Sequence, residues 1–281
     1  MSQGRATQQQ AILWFDEAAC SDVHQAGGKG ASLAAMTARG LPVPPGFVIP
    51  AFVLEQAVDR ERLLALVLEQ RHAEAQALVR QAEPPREAIV AAYERLAPDH
   101  GRVAVRSSAC AEDSEAASYA GQQETYLNVS GPDEVCRRVV DCWASFFSER
   151  ALFYRARKGS LHDLRMAVVV QKMLQPEKAG VLFTVDPVNR RRDRLIIEAV
   201  FGLGEQIVSG EVTPDHYVVD RAGNVKREQI VAQRVLTEEE IRRLTGLGLQ
   251  LMEMFGQPQD IEWAIEGGQL YLLQSRPITT L

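Results

Sequence analysis

Arg106 stands where a short apolar alternation, Val103-Ala104-Val105, gives way to Ser107-Ser108-Ala109-Cys110 and a run of small and acidic residues reaching Gly121-Gln122. The alternation has the period of a half-buried strand, and the run after it is too small and polar to bury itself. A cation at a strand end ahead of such a loop suits closure over a polyphosphate. The guanidinium forks onto phosphate oxygens while exposed backbone N–H groups line the cradle. A surface arginine before a solvated loop has the same residue types, so this stretch alone does not decide.

Two other clusters carry chemistry of the same kind. Lys29 lies in Gly27-Gly28-Lys29-Gly30 ahead of an apolar-periodic stretch with Leu33 and Met36. Free N–H groups and the positive end of a helix dipole there would face an anion, with Lys29 as a mobile charge. The glycine spacing is not that of a Walker A loop, and a plain turn into a helix explains it as well. Near the C-terminus, Asp260 and Glu262 are two apart, as are Gln274 and Arg276. On paired strands each couple shares one face. Two acids, an amide oxygen and a guanidinium on one sheet face could hold Mg²⁺ against phosphates. Cross-strand charge pairing on a solvated sheet is the alternative.

The remainder of the chain has to hold these three clusters in place. A disordered leader is expected over residues 1–11, then a strand at Ile12–Phe15 and the helix after Gly30, stopped at Gly40 and by Pro42, Pro44 and Pro45. Gly46–Ile49 reads as a strand, and residues 51–97 as two or three helices over Ala51–Gln81 and Arg86–Leu96. A strand at Tyr126–Val129 precedes one helix running to Lys158, with Val135, Val139, Trp143, Phe146, Phe147 and Phe153 as its core stripe. Residues 165–199 are expected to form a second sheet, with a basic tip at Arg190–Arg194. Thr237-Glu238-Glu239-Glu240 is a capping box opening a helix to Met254. Gly267-Gly268 joins the last two strands in a tight hairpin. The division expected is residues 12–164 with a helical insert at 51–97, then 165–281.

The 281 residues are 46% hydrophobic and 24% charged, ordinary values for a globular protein with a sizeable core. A net charge of −6 argues against a general nucleic-acid or anionic-membrane binder, so phosphate binding must rest on local cations. Cys20, Cys110, Cys136 and Cys142 form no CxxC pair and read as reduced, buried thiols. With no signal pattern and no long apolar run, a cytoplasmic protein is expected.

Five segments taken together resemble the N-terminal nucleotide-binding domain of the phosphoenolpyruvate synthase, pyruvate phosphate dikinase and rifampin phosphotransferase family. They are GGKGASLAAM…GLPVPPGFVI, VAVRSSACAEDSEAASYAGQQETYLNV, QKML…AGVLFTVDP, GLGEQIVSGEVTPDHYVV and QDIEW…LYLLQSRP, in that family's order across residues 26–277. The resemblance implies an α/β (α+β) ATP-grasp fold, two lobes clamping ATP. It implies that Lys29 and Arg106 meet the triphosphate and that the Ser107–Gln122 loop, with Ser107, Ser108, Gly121 and Gln122, closes over it. Adenine would rest against a hinge at Gln171–Leu174, including Met173. Asp260, Glu262 and Gln274 would surround Mg²⁺, and Arg276 would hold phosphate oxygens.

Cys110 replaces a usual Thr and Tyr119 a usual Phe, and the helical region 51–97 is shorter than in larger members. None of His24, His72, His100, His162 and His216 sits in the family's Thr-Ser-His-Ala context, where the phosphoryl group is accepted. The resemblance therefore implies a separate partner carrying the phospho-histidine and substrate domains. A self-contained kinase or ligase, a nucleotide-sensing subunit and an excised domain of a longer protein remain alternatives.

Overall fold

A computed structural model of the chain describes residues 10–110, 124–189, 191–204, 207, 210 and 212–279. Residues 1–9 of the expected leader, and Gly121, Gln122 and Tyr119 of the expected lid, lie outside the described residues, as does Arg190 of the basic tip. The chain divides into two compact units. Of the described residues, 10–34, 45–110 and 124–172 make the first, and 35–44 with 173–279 the second. Among the described residues no helix is long and apolar enough to cross a membrane.

The first unit is built on an antiparallel sheet in the order β1-β2-β5-β3-β4. These strands are Leu13–Trp14, Gly46–Ile49, Met166–Lys172, Val103–Ala109 and Thr125–Val129 respectively. Here the expected second sheet over residues 165–199 is corrected. β5 lies between β2 and β3, pairing Val168 with Ile49 and Ser107, and Val170 with Phe47 and Val105. A run buried on both faces needs neighbours on both edges, and the first sheet supplies them. The first unit therefore runs to Lys172.

The region from 51 to 96 forms four helices, α2 Ala51–Ala57, α3 Arg60–Leu68, α4 His72–Arg80 and α5 Arg86–Leu96. Asp59 accepts a hydrogen bond from the Arg62 N–H and caps α3, and Gln70 takes a positive φ of 55° before α4. The apolar spacing runs through both breaks, which is why fewer helices are expected from it. Likewise the single helix expected up to Lys158 is two, α6 Pro132–Ser145 and α7 Glu149–Lys158, with Ser148 capping the second. The break turns Phe153 out to 57% exposure and removes it from the expected stripe. Val135, Val139, Trp143, Phe146 and Phe147 remain in the core with Phe47, Val105 and Val170 of the sheet. Arg155, 1% exposed, is buried beside them, donating to backbone carbonyls of Phe146 and Ser160 and stacking over the Phe146 ring at 3.9 Å.

The second unit carries an antiparallel sheet in the order β11-β10-β6-β7-β8-β9. In chain order these are β6 Lys178–Phe183, β7 Arg194–Phe201, β8 Asp215–Asp220, β9 Val225–Gln229, β10 Gln259–Glu266 and β11 Gln269–Pro277. The capping box forms as expected: Thr237 accepts from the Glu240 N–H, and Glu240 in turn accepts from the Thr237 N–H. It opens α8, Glu238–Phe255. Glu240 also receives Lys178 Nζ of β6 at 2.8 Å. Gly248 of α8 lies so close to Leu182 that a Cβ there would stand 2.7 Å from its Cδ2. Lys178 and Leu182 therefore face α8, and Val181 faces the other way. Cross-strand partners share a face, so Glu262 and Glu198, both opposite Val181, project on the side away from α8.

Candidate phosphate- and metal-binding groups

In the first unit the glycine turn and the end of β3 form one structure. α1, Val23–Ala38, is interrupted at Gly27, whose φ of 68° and ψ of 172° leave the helical region. A Cβ there would stand 2.3 Å from both the carbonyl oxygen and Oγ of Ser108. Only glycine allows both the dihedral and the approach. The Ser108 hydroxyl then ties the turn on both sides. It donates to the Ala26 carbonyl at 2.8 Å and accepts from the Gly30 N–H at 3.2 Å. Lys29 Nζ donates to the Ser107 carbonyl at 3.0 Å, bringing its charge to the strand that carries Arg106.

The two serines expected to contact ATP are completely buried. Ser107 donates from N and Oγ to the Glu124 carbonyl, at 3.0 and 3.3 Å. Their hydroxyls are committed to backbone, so what Ser108 visibly does is fix the turn that carries Lys29. Ser108→Ala is expected to leave the buried Gly30 N–H without its acceptor, a loss of about 1–3 kcal/mol. Thermal unfolding and ATP titration read the effect. A variant with unchanged melting temperature and affinity contradicts the role.

Arg106, 8% exposed, lies between Val169 of β5 and Thr125 of β4. Cys110, expected in the lid, is buried where β3 ends, and burial pushes its thiol up to about 12. It is a neutral packing group. Gln171 is buried within β5, opposite Gly46 and Ala104, and the division between units falls between Lys172 and Met173.

In the second unit the hairpin brings its four polar residues together in two adjacent rows. Asp260 stands opposite Arg276, and Glu262 opposite Gln274. The register shifts between Glu262 and Trp263, leaving Leu273 as the extra residue. This bulge lets Leu272, opposite Trp263, point into the core while Gln274, two positions on, turns to the face of Glu262. Arg276 places Nε at 2.8 Å and Nη2 at 2.7 Å from Asp260 Oδ2. Burial holds the Asp260 carboxyl above its ordinary range, with Glu262 and Glu198 adding to the effect and Arg276 opposing it.

Gln274 is 6% exposed, and its Oε1 finds no hydrogen-bond partner among the described residues. A buried amide oxygen without a donor costs free energy unless something electropositive meets it. Beside a carboxylate it suits a hard divalent cation. No three His, Cys, Asp or Glu side chains are gathered to hold a metal by themselves among the described residues. The set present fits Mg²⁺, which keeps few protein ligands and shares the rest of its shell with phosphate oxygens.

Glu198 belongs to none of the sequence motifs but lies on the same sheet face and acts on Asp260. Its signal was a lone acid in the apolar run Leu195–Phe201, and it lies 3.4 Å from His216 Nδ1.

The family profile described as "Pyruvate phosphate dikinase, AMP/ATP-binding domain" matches residues 23–234 and 222–281. A probable phosphoenolpyruvate synthase of Archaeoglobus fulgidus is 42% identical over 96% of this chain and 42% of its own length. The phosphoenolpyruvate synthase of Pyrococcus furiosus is 37% identical over 96% of the chain and 44% of its own. The rifampicin phosphotransferase of Bacillus cereus is 37% identical, covering 96% and 36%. The chain thus spans less than half the length of these relatives. With the glycine turn, Arg106 and the Glu262–Gln274 row all inside the matched residues, the chain belongs to the pyruvate phosphate dikinase AMP/ATP-binding domain family.

Proposed function

We propose that this chain is the Mg-ATP-binding, ATP-grasp part of a dikinase-type phosphotransferase. It passes the β,γ-pyrophosphoryl group of ATP to a histidine on a separate partner domain, with release of AMP, and loss of orthophosphate then leaves a phosphoryl group on that histidine. The observation that carries the reading is the buried Gln274 Oε1, unpartnered among the described residues beside Glu262 and one row from the guanidinium of Arg276. Glu262 and Gln274 would hold Mg²⁺, which when bound offsets phosphate charge and orders its oxygens. Arg276 contributes a forked cation to the same phosphates.

Lys29 and Arg106 are further cations available to nucleotide phosphate. Lys29 is held to the Ser107 carbonyl and can exchange it for a phosphate oxygen. The chemistry asks for little else. Phosphoryl transfer spreads charge over non-bridging oxygens, and catalysis consists of positioning and of offsetting that charge. No side chain here needs to act as a nucleophile, and the histidines of this sequence lack the accepting context.

Product identity tests the reading. With Mg-ATP and a separately produced histidine domain, AMP is the expected product, and it should be absent when that domain is left out. ADP formed by the chain alone would replace this reading with that of a self-contained kinase or ligase. ATP binding without turnover under any pairing would leave a nucleotide sensor.

A further inference from the structure

Asp260 and Glu262 look equivalent in sequence, two acids on one strand face, yet their surroundings separate them. Glu262 stands opposite the amide of Gln274, and Asp260 opposite Arg276. Two nitrogens of that guanidinium, Nε and Nη2, converge on the single oxygen Oδ2 of Asp260. The Asp260 side chain is 13% exposed and that of Arg276 is 40% exposed, so the carboxylate is the inner member of the pair. A cation at Asp260 would have to share it with a guanidinium already in place, at a cost in like-charge repulsion. A cation at Glu262 has the Gln274 amide across from it in the same row.

We propose that Asp260 is not a ligand of the divalent cation but the positioning residue of Arg276, fixing its guanidinium for the phosphates. This rests on the reading of Arg276 as a phosphate-holding group. An arginine carries several rotatable bonds whose freedom is lost on binding. Anchoring Nε and Nη2 to a largely enclosed carboxylate removes that loss before the nucleotide arrives, and leaves the rest of the fork for a phosphate. The division of labour is then one row for the metal and one row for the arginine.

The test separates metal affinity from nucleotide affinity. Asp260→Asn keeps shape and an acceptor oxygen while removing the charge that holds Arg276. It is expected to weaken binding of a non-hydrolysable ATP analogue about tenfold to a hundredfold, the scale of a lost charged hydrogen bond. The Mn²⁺ concentration giving half-maximal paramagnetic signal with saturating analogue should stay within about twofold of the unaltered chain. In an Arg276→Met background, Asp260→Asn should have no further effect on nucleotide affinity.

Arg276→Lys keeps charge but cannot make the two-nitrogen contact, so it should repeat the Asp260→Asn result if that variant folds poorly. A tenfold or greater weakening of Mn²⁺ by Asp260→Asn, in both backgrounds, overturns the proposal and makes Asp260 a metal ligand. Unchanged nucleotide affinity in Arg276→Met is a different failure. It overturns the phosphate role of Arg276 and this proposal with it.

Discussion

Glu262→Gln is expected to lower Mg-ATP turnover about a hundredfold to a thousandfold while leaving the second unit folded. Glutamine occupies the same volume and keeps an oxygen, so the pairing of residue 262 with Val181 and Gln274 has no reason to change. What is lost is the full negative charge beside the buried Gln274 Oε1. Glu262 also presses, with Glu198, on the Asp260 carboxyl. Removing one of these acids relieves like-charge repulsion, so the melting temperature should stay level or rise slightly. The measurement is turnover against Mg²⁺ concentration, where the variant should need far more metal and still not reach the original rate. A variant with the original rate at ordinary Mg²⁺ would remove Glu262 from the metal site.

Gly27→Ala is the second large effect, and it acts through the backbone. The new Cβ would overlap two oxygens of Ser108 at 2.3 Å, one of them a backbone carbonyl that cannot swing aside. The dihedral at Gly27 is also one that side-chain-bearing residues rarely adopt, costing about 1–3 kcal/mol by itself. Overpacking against a rigid neighbour adds about 1–3 kcal/mol more. Relief requires the turn to leave β3, breaking the Ser108 bonds to Ala26 and Gly30 and drawing Lys29 from the Ser107 carbonyl. Nucleotide affinity should fall at least tenfold, with early loss of amide-exchange protection at Gly30. Protection and affinity equal to the unaltered chain would show that the turn does not depend on a missing side chain.

The residues most legible in sequence were those whose structure is decided locally. Thr237 and Glu240 cap a helix through bonds within four residues. Gly267 and Gly268, with φ of 58° and 73°, make the hairpin turn that their identity announces. That turn sets the pairing that brings Asp260 to Arg276 and Glu262 to Gln274. The glycine cluster at 27–30 is equally plain in the sequence, but its contact with Ser108 depends on a strand far along the chain.

The parts that sequence leaves open depend on contacts far along the chain. β5 has the same apolar run whichever sheet takes it, and only its pairing with residues near 48 and 106 decides. Ser107 and Ser108 have the residue types of a phosphate loop, but their hydroxyls go to Glu124 and to the glycine turn. Leu272 and Gln274 sit two apart and would share a face on a regular strand. The bulge at Leu273 separates them, and adjacent leucines at 272 and 273 were its only trace. Asp260 and Glu262 read as a pair because spacing shows a shared face and not the partner across the strand.

The most direct measurement is calorimetric titration of the whole chain with a non-hydrolysable ATP analogue in Mg²⁺, repeated for Arg106→Ala and for Glu262→Gln. The expected result is nucleotide binding weakened at least tenfold by each substitution. An affinity indifferent to either substitution would contradict the assignment of that residue to nucleotide binding.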